Sequence, residues 1–418
     1  GGPRDMRRRY LDAMALVQCF GKPDLFITIT CNPNWPEIKE HLLPNEEAHN
    51  RPDLTARVFH AKFRELKEDL IKKKCFGHIR AYAYTIEFQK RGLPHGHILL
   101  IFNPADRLVT PDEYNQIVSA EIPPRNLHPL LHDAVKKHMM HGPCGALNKS
   151  NVCMRDGKRC ANYYPKEFCR ETMQSKNSYP LYRRRDSGVT VFVKGHQLSN
   201  EWVVPYNPFL LLKYDCHVNV EICASIHSIK YIYKYIYKGH DKIHFHVSPT
   251  GQVDQVDEIK DFQSARWVSP QEAAWRIFGF DLTELKPSVI HLQLHLENYQ
   301  LIHFNTKDRL ANVLRNPRNH KTMLTEFFFA NRSSPRVREM QLTYDQFPKH
   351  FVWMQKDKYW KRRVKQDALG RINLAHPSEG ERFFLRMLLM VVKAPTSFDA
   401  LKTYNGQIFP TFRAACLA

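Results

Sequence analysis

Apolar and polar positions alternate along residues 25–30, Leu25-Phe26-Ile27-Thr28-Ile29-Thr30, which is the period of a strand. The loop Cys31-Asn32-Pro33-Asn34-Trp35-Pro36 ends it. Residues 1–20 read as a short amphipathic helix with a basic start. Asp53 is placed to cap a helix running to Lys74, with Phe59, Phe63, Leu66 and Leu70 on one face. Residues 79–89 and 95–103 read as two strands, and Lys90-Arg91-Gly92-Leu93-Pro94 supplies the Gly and Pro of a tight hairpin. Residues 104–180 carry Pro, Gly, Cys and Asn throughout and read as irregular. Residues 189–194 and 216–222 return to strand character, and 223–238 predict a helix stopped by Gly239. Beyond about 250, an alternating segment at 289–296 gives way to basic helical ones at 323–331 and 380–392. There are no internal repeats and no low-complexity tract.

Charge narrows the picture. Over 418 residues the formal net charge is +20, which points to a polyanionic partner, because phosphate backbones attract Lys and Arg whatever the base sequence. A hydrophobic content of 43% is that of a folded chain. No run approaches the roughly 18–20 apolar residues of a membrane span; residues 383–392 come nearest and carry Arg386. No secretory signal is visible, and an opening of Gly1-Gly2-Pro3-Arg4 without Met leads us to expect a fragment. Ten cysteines in a chain of this length do not read as a disulfide framework; three cluster with a histidine, which suggests metal binding in a reducing compartment.

The candidate chemistry begins in the hairpin. His95 and His97 are two apart, so on a strand both imidazoles share a face and reach one ion. Glu87 on the preceding strand closes a three-ligand site, and Gln89, of the same parity, is the alternative third ligand. Two histidines and a carboxylate suit Mg²⁺ or Mn²⁺ when a phosphate supplies further oxygens. The residue between the histidines is Gly96 rather than a bulky apolar one. His244-Phe245-His246 fits a His-hydrophobic-His pattern better but lacks an acidic hairpin partner, and ranks second.

Residues 226–238 hold four alternating tyrosines. On a helix at about 100° per residue, Ile226, Ile229, Ile232 and Ile236 define the buried side. Tyr231 and Tyr235 then point furthest from it, one turn apart, beside a basic stripe of Lys230, Lys234 and Lys238. A phenol is a weak nucleophile at its usual pKa of about 10, so it needs a metal to polarise a scissile phosphate and lysines to soften the charge. The competing reading is an amphipathic helix with tyrosines at its rim. His141, Cys144, Cys153 and Cys160 offer a second set of ligands, of the types zinc prefers; Cys169 and His138 are substitutes, and buried free cysteines are the rival reading. A long irregular segment held by a structural metal is the favoured one.

Long motifs then carry a resemblance. They include Gly21-Lys22-Pro23-Asp24-Leu25-Phe26-Ile27-Thr28-Ile29-Thr30-Cys31-Asn32-Pro33, Ile86 to His95, Trp202-Val203-Val204-Pro205-Tyr206-Asn207-Pro208 and Cys216-His217-Val218-Asn219-Val220-Glu221. Lys230 to Asp241 and Glu272-Ala273-Ala274-Trp275-Arg276-Ile277-Phe278-Gly279 also fit. The chain resembles the replication-initiator-like (HUH) nuclease region of Helitron transposases, eukaryotic rolling-circle elements. The resemblance implies an α+β HUH nuclease fold, a central antiparallel sheet flanked by helices. It implies a divalent ion on His95 and His97, a nucleophile pair mapping onto Tyr231 and Tyr235, and a zinc-finger-like element between the two nuclease motifs. Family members usually carry a C-terminal superfamily-1 helicase. No Gly-x4-Gly-Lys-Ser/Thr loop is present, so this chain is expected to nick and join without ATP-driven unwinding.

The expected plan has four segments. Residues 1–130 open the nuclease and hold its metal hairpin, 131–180 form a zinc-finger-like insertion, and 181–250 complete the nuclease with the tyrosine helix. Residues 251–418 form a mostly helical DNA-binding or helicase-docking region. The expected activity is site-specific cleavage and strand transfer of single-stranded DNA at transposon ends, in the nucleus, through a 5′-phosphotyrosine link. Lys230, Lys234, Lys90 and Arg91 would contact phosphates, and Trp35 would stack on unpaired bases. His217, Asn219 and Glu221 share a strand face and would contact DNA or support the site. The alternative is a zinc-containing single-stranded-DNA-binding module without catalysis.

Overall fold

The computed structural model describes residues 3–88, 92–154, 159–174, 180–224, 268–302, 304, 309–365 and 367–418. It divides into two compact units, Gly1–Leu285 and Lys286–Ala418. Among the described residues no helix is long and apolar enough to cross a membrane.

The first unit is built on a five-stranded sheet. Helix α1 (Pro3–Phe20) leads into β1 (Leu25–Thr30); a short α2 (Pro36–Lys39) and the long α3 (Pro52–Lys67) follow, then β2 (Ile79–Phe88) and β3 (Pro94–Phe102). Further along come α4 (Pro111–Ile117), α5 (Pro129–His138), the β4 (Val191–Val193) and β5 (His196–Leu198) hairpin, α6 (Pro208–Tyr214), β6 (Val218–Ile222), α7 (Pro270–Ile277) and β7 (Thr283–Lys286). The strand order is β6-β1-β3-β2-β7, with β1 antiparallel to both β3 and β6 and β2 antiparallel to β3. This is the mixed α/β plan expected, a central antiparallel sheet flanked by helices.

Alternation assigns the faces. Leu25, Ile27 and Ile29 of β1, Ile86 of β2, Ile98 and Leu100 of β3, and Val218 and Val220 of β6 form one apolar face. Phe59, Phe63, Leu66 and Leu70 cover it, the stripe the sequence predicts. The helix departs from expectation at both ends. Arg51, not Asp53, is the residue before its first turn, and Asp53 instead accepts two hydrogen bonds from the Arg51 guanidinium. At the other end a π-turn over Glu68–Lys72 replaces regular helix. It turns Asp69 inward to the Lys213 ammonium and the Tyr214 hydroxyl of α6. Burial opposes the Asp69 carboxylate, but these hydrogen bonds and one from Lys73 outweigh it and lower its pKa.

Gly96 sits on this packed face. A Cβ there would lie 2.3 Å from Phe63 Cε2 and 3.2 Å from Ile29 Cγ2, so the Phe63 ring fills the space where a bulky residue would stand. Gly96→Val is therefore expected to cost about 1–3 kcal/mol by overpacking. Urea unfolding measures it, and the cost should shrink in a Phe63→Leu background.

The described residues of 104–180 hold more regular structure than their composition suggests. Thr110 caps α4 in a reciprocal box with Glu113. Val135, Met139, Val191, Val203 and Tyr206 pack into a small core of their own. Residues 268–285 also belong to the first unit. Trp275 is buried against Phe59, so the second unit starts at Lys286 rather than near 251.

The second unit carries short strands among its helices. Strand β8 (Ser288–Leu292) pairs in parallel with β11 (Ala368–Ile372), and β9 (Phe351–Met354) pairs antiparallel with β10 (Tyr359–Arg362). Helices α8 (Met323–Ser333) and α9 (Glu381–Val391) contribute Phe327, Phe328, Leu385 and Leu389 to a core with Tyr344 and Phe347.

Candidate metal centres on and beside the sheet

The other face of the sheet is apolar at one end and polar at the other. Ala13 and Val17 of α1 pack with Phe26, Ala83 and Leu99, covering the apolar end. Beyond it the cross-strand register lines up Thr28 with His97, Thr30 with His95, Thr85 with His97 and Glu87 with His95. Directly opposed residues of antiparallel strands share a face, so the two histidines and Glu87 lie on one face of the sheet. Asn219 continues the band opposite Thr28, and Glu221 lies opposite Phe26.

The threonines explain how the imidazoles are held. Thr30 Oγ1 lies 2.9 Å from His95 Nδ1, and Thr28 Oγ1 lies 3.0 Å from His97 Nδ1. The tautomer in which Nδ1–H donates to the hydroxyl leaves Nε2 a lone pair for a cation, the usual arrangement behind metal-binding histidines. His97 Nε2 stands 3.4 Å from Glu87 Oε2. That is long for an N–H···O bond. It is close to the roughly 3.0–3.5 Å that separates neighbouring ligand atoms held about 2.1–2.2 Å from one ion. Burial, with His97 and His217 nearby, lowers the His95 pKa to about 3, so its ring is neutral near pH 7. Two imidazoles and a carboxylate are ligand types that a divalent ion can take alongside oxygens from a phosphate or water.

Sequence reasoning missed the two threonines. The signal that joins Thr-x-Thr to His-x-His is their equal spacing on strands that pair antiparallel. Replacing Thr28 and Thr30 with Val keeps their shape and removes both hydroxyls. Mn²⁺ affinity is expected to fall about 10–100-fold, read by titration calorimetry on protein of unchanged circular dichroism. Asn219 Nδ2 donates to Glu221 Oε1 at 3.1 Å, while its buried Oδ1 has no hydrogen-bond partner among the described residues.

The second centre lies in the insertion. The ligand atoms of His141, Cys144, Cys153 and Cys160 all fall within 4.8 Å of one another, and this cluster could hold a metal such as zinc. Among the described residues it is the one group of three or more such side chains that converges so closely. His141 Nε2 is 3.3 Å from Cys160 Sγ, and its ring stacks on Tyr164 with centroids 4.1 Å apart. Burial lowers the His141 pKa to about 4, with Lys166 and His217 adding to it. Burial pushes the Cys144 thiol up to about 12. Burial also opposes a thiolate at Cys160, but the backbone N–H groups of Tyr164 and Asn162 and the two neighbouring thiols outweigh it and lower its pKa. The two substitutes are engaged elsewhere: His138 Nε2 meets Asp215 Oδ1 at 2.8 Å, and Cys169 Sγ donates to Glu171 O.

Trp35 does not fit the role of a base-stacking residue. It is 1% exposed, its Nε1 donates to Tyr214 O at 2.7 Å, and its ring packs on Phe59. The loop that suggested exposure folds the indole into the core. Tyr231, Tyr235, Lys230, Lys234, Lys90, Arg91, Gln89, His244 and His246 lie outside the described residues.

Comparison with known proteins touches a portion of this framework. No curated protein matches the chain. Residues 1–100 match the family model described as the Helitron helicase-like domain at the N-terminus, a span that holds β1, the hairpin, Glu87, His95 and His97. The match supports a Helitron-related protein and suggests a transposase-related role.

Proposed function

We propose that the chain is a metal-dependent, site-specific single-stranded DNA endonuclease and strand transferase of a rolling-circle transposon, with an HUH nuclease fold. The observation that carries this reading is the hairpin: two histidines side by side, each Nδ1 against a threonine hydroxyl, with Glu87 beside His97. Glu87, His95 and His97 would hold Mg²⁺ or Mn²⁺, which when bound supplies a Lewis acid for a non-bridging oxygen of the scissile phosphate. Thr28 and Thr30 would hold the two rings in place for that ion.

The tyrosine pair supplies the nucleophile in this reading. The hydroxyl of Tyr231 or Tyr235 loses its proton, and its oxygen bonds to phosphorus. The bond from phosphorus to the 3′ oxygen breaks, and that oxygen takes up a proton. A 5′-phosphotyrosine and a free 3′-OH result, conserving bond energy for rejoining. A second tyrosine permits a second cleavage while the first link persists. Lys230, Lys234, Lys90 and Arg91 would bind phosphates, and the Cys/His cluster would hold structural zinc. A C-terminal superfamily-1 helicase in a longer protein would be the partner.

The test is a denaturing gel of the protein with labelled single-stranded transposon-end DNA and Mn²⁺. An SDS-resistant protein–DNA band, lost in Tyr231→Phe or Tyr235→Phe, is the expected result. Cleavage without that band would replace tyrosine by water as the nucleophile. Tight binding of a cognate strand with neither product would favour the non-catalytic zinc-containing module.

A further inference from the structure

The β9–β10 hairpin of the second unit is a strongly charged feature that the nuclease reading leaves unused. Between Lys356 and Lys365, six Lys or Arg residues stand against one acid, Asp357. Two of the six are committed to the fold: Lys358 Nζ donates to Arg318 O at 3.0 Å, and Arg363 Nε donates to Pro348 O at 2.8 Å. The other four, Lys356, Lys361, Arg362 and Lys365, are exposed, and none forms an ion pair with another described residue.

The hairpin is anchored, so these cations are presented on a firm base. Trp360 Nε1 donates to Met323 O at 2.9 Å, and its ring meets Phe347 edge-on at 5.2 Å and Trp353 at 5.3 Å. Strand alternation then places Tyr359 and Lys361 on the opposite face of β10 from Trp360, with Met354 and Val352 across the ladder. Tyr359 is 40% exposed there. In its sheet β10 has β9 as its one strand neighbour among the described residues.

Charged residues on an edge strand also guard against strand pairing, and one or two lysines suffice for that. Four exposed cations, Lys356 in the turn, Lys361 and Arg362 on β10 and Lys365 just beyond it, with an exposed aromatic ring between Lys356 and Lys361, exceed that need. They match a ribbon of phosphates, for which closely spaced cations release condensed counterions, and a tyrosine face can take a base.

We propose that this hairpin of the second unit is a polynucleotide-binding surface, gripping phosphates through Lys356, Lys361, Arg362 and Lys365. It stands apart from the assignment of the hairpin histidines, because its test reads binding and not cleavage.

The test uses the full chain carrying Lys356→Gln, Lys361→Gln, Arg362→Gln and Lys365→Gln together. Its control removes four exposed cations elsewhere in the same unit, Arg315→Gln, Arg332→Gln, Arg336→Gln and Lys393→Gln. Fluorescence anisotropy with single-stranded and duplex oligonucleotides is followed across salt concentrations without divalent metal. The hairpin variant is expected to bind at least tenfold more weakly at moderate salt. The slope of log affinity against log salt should become shallower by about 2–3 for single strands or 3–4 for duplex, and the control should change little. A loss confined to one form of DNA identifies that form as the ligand. Equal behaviour of hairpin variant and control, or an unchanged slope with both forms, overturns the proposal. A strand-cleavage assay on the same variant separates this result from the nuclease reading, since cleavage chemistry on saturating DNA should persist.

Discussion

His95→Ala is expected to lower metal-dependent cleavage of a single-stranded substrate by about a thousandfold or more. Removing one preorganised electrostatic donor from an active site typically costs 10²–10³, and removing a metal ligand weakens a Lewis acid as well as its position. The fold should tolerate the change. His95 is only partly buried, on the polar face, and its cross-strand neighbours Thr30 and Glu87 are themselves polar. Its neutral ring contributes no buried charge whose loss would have to be compensated. Mn²⁺ titration and thermal unfolding should accompany the rate measurement, with binding weakened and the melting temperature nearly unchanged. Cleavage within tenfold of the parent protein would remove His95 from the metal site. His244→Ala with His246→Ala would then be the variant to measure, since that pair shows the same spacing.

The sheet was legible because its strands alternate cleanly. In β1, Leu25, Ile27 and Ile29 face α3 while Thr28 and Thr30 face the histidines, and one period encodes both assignments. The hairpin was legible for the same reason, and its turn carries Gly and Pro. Gly96 looked like a departure because its reason is not local: the Phe63 ring, from a helix more than thirty residues earlier, occupies the space. Trp35 misled for a similar cause. Its loop has turn residues on both sides, but Tyr214 O and the Phe59 ring, distant in sequence, draw the indole inside.

Composition was the weakest guide. Residues 104–180 look irregular because the hydrogen bonds of the described residues there and just beyond come from side chains and isolated bridges rather than long ladders. Arg184 Nη1 donates to Asn200 O and Val203 O, Asn200 Oδ1 accepts from Ile122 N, and Tyr206 pairs across to Ser119 and Asn219. Such bonds leave no periodicity to read. In the second unit the pairing of β8 with β11 joins segments some eighty residues apart, so the helices were visible and the sheet was not.

Removing metal from the Cys/His cluster is expected to unfold much of the insertion and to loosen the edge of the central sheet with it. The core around the cluster is Cys144, Met154, Cys160, Leu198 and Trp202, so two of its five buried residues are themselves candidate ligands. An apolar core that small gives little stability of its own, whereas structural zinc in isolated fingers contributes about 10–16 kcal/mol of apparent binding energy. Here the neighbouring core of Val135, Val203 and Tyr206 should survive, so unfolding should be partial. The damage has a route to β6. Tyr164 stacks on His141, and Tyr182 Oη accepts from Ile222 N at 2.7 Å, at the end of the strand that carries Asn219 and Glu221. Metal analysis of the purified protein should find about one zinc per chain, and a strong chelator should cause loss of hydrogen-exchange protection across residues 141–164 first and at β6 second. Cys144→Ser should reproduce the effect in the presence of zinc. Protein that lacks zinc as purified and keeps full protection in excess chelator would make the cluster a set of packed thiols. In that case Cys144→Ser should cost only about 1–2 kcal/mol, as a buried small side chain exchanged for a polar one.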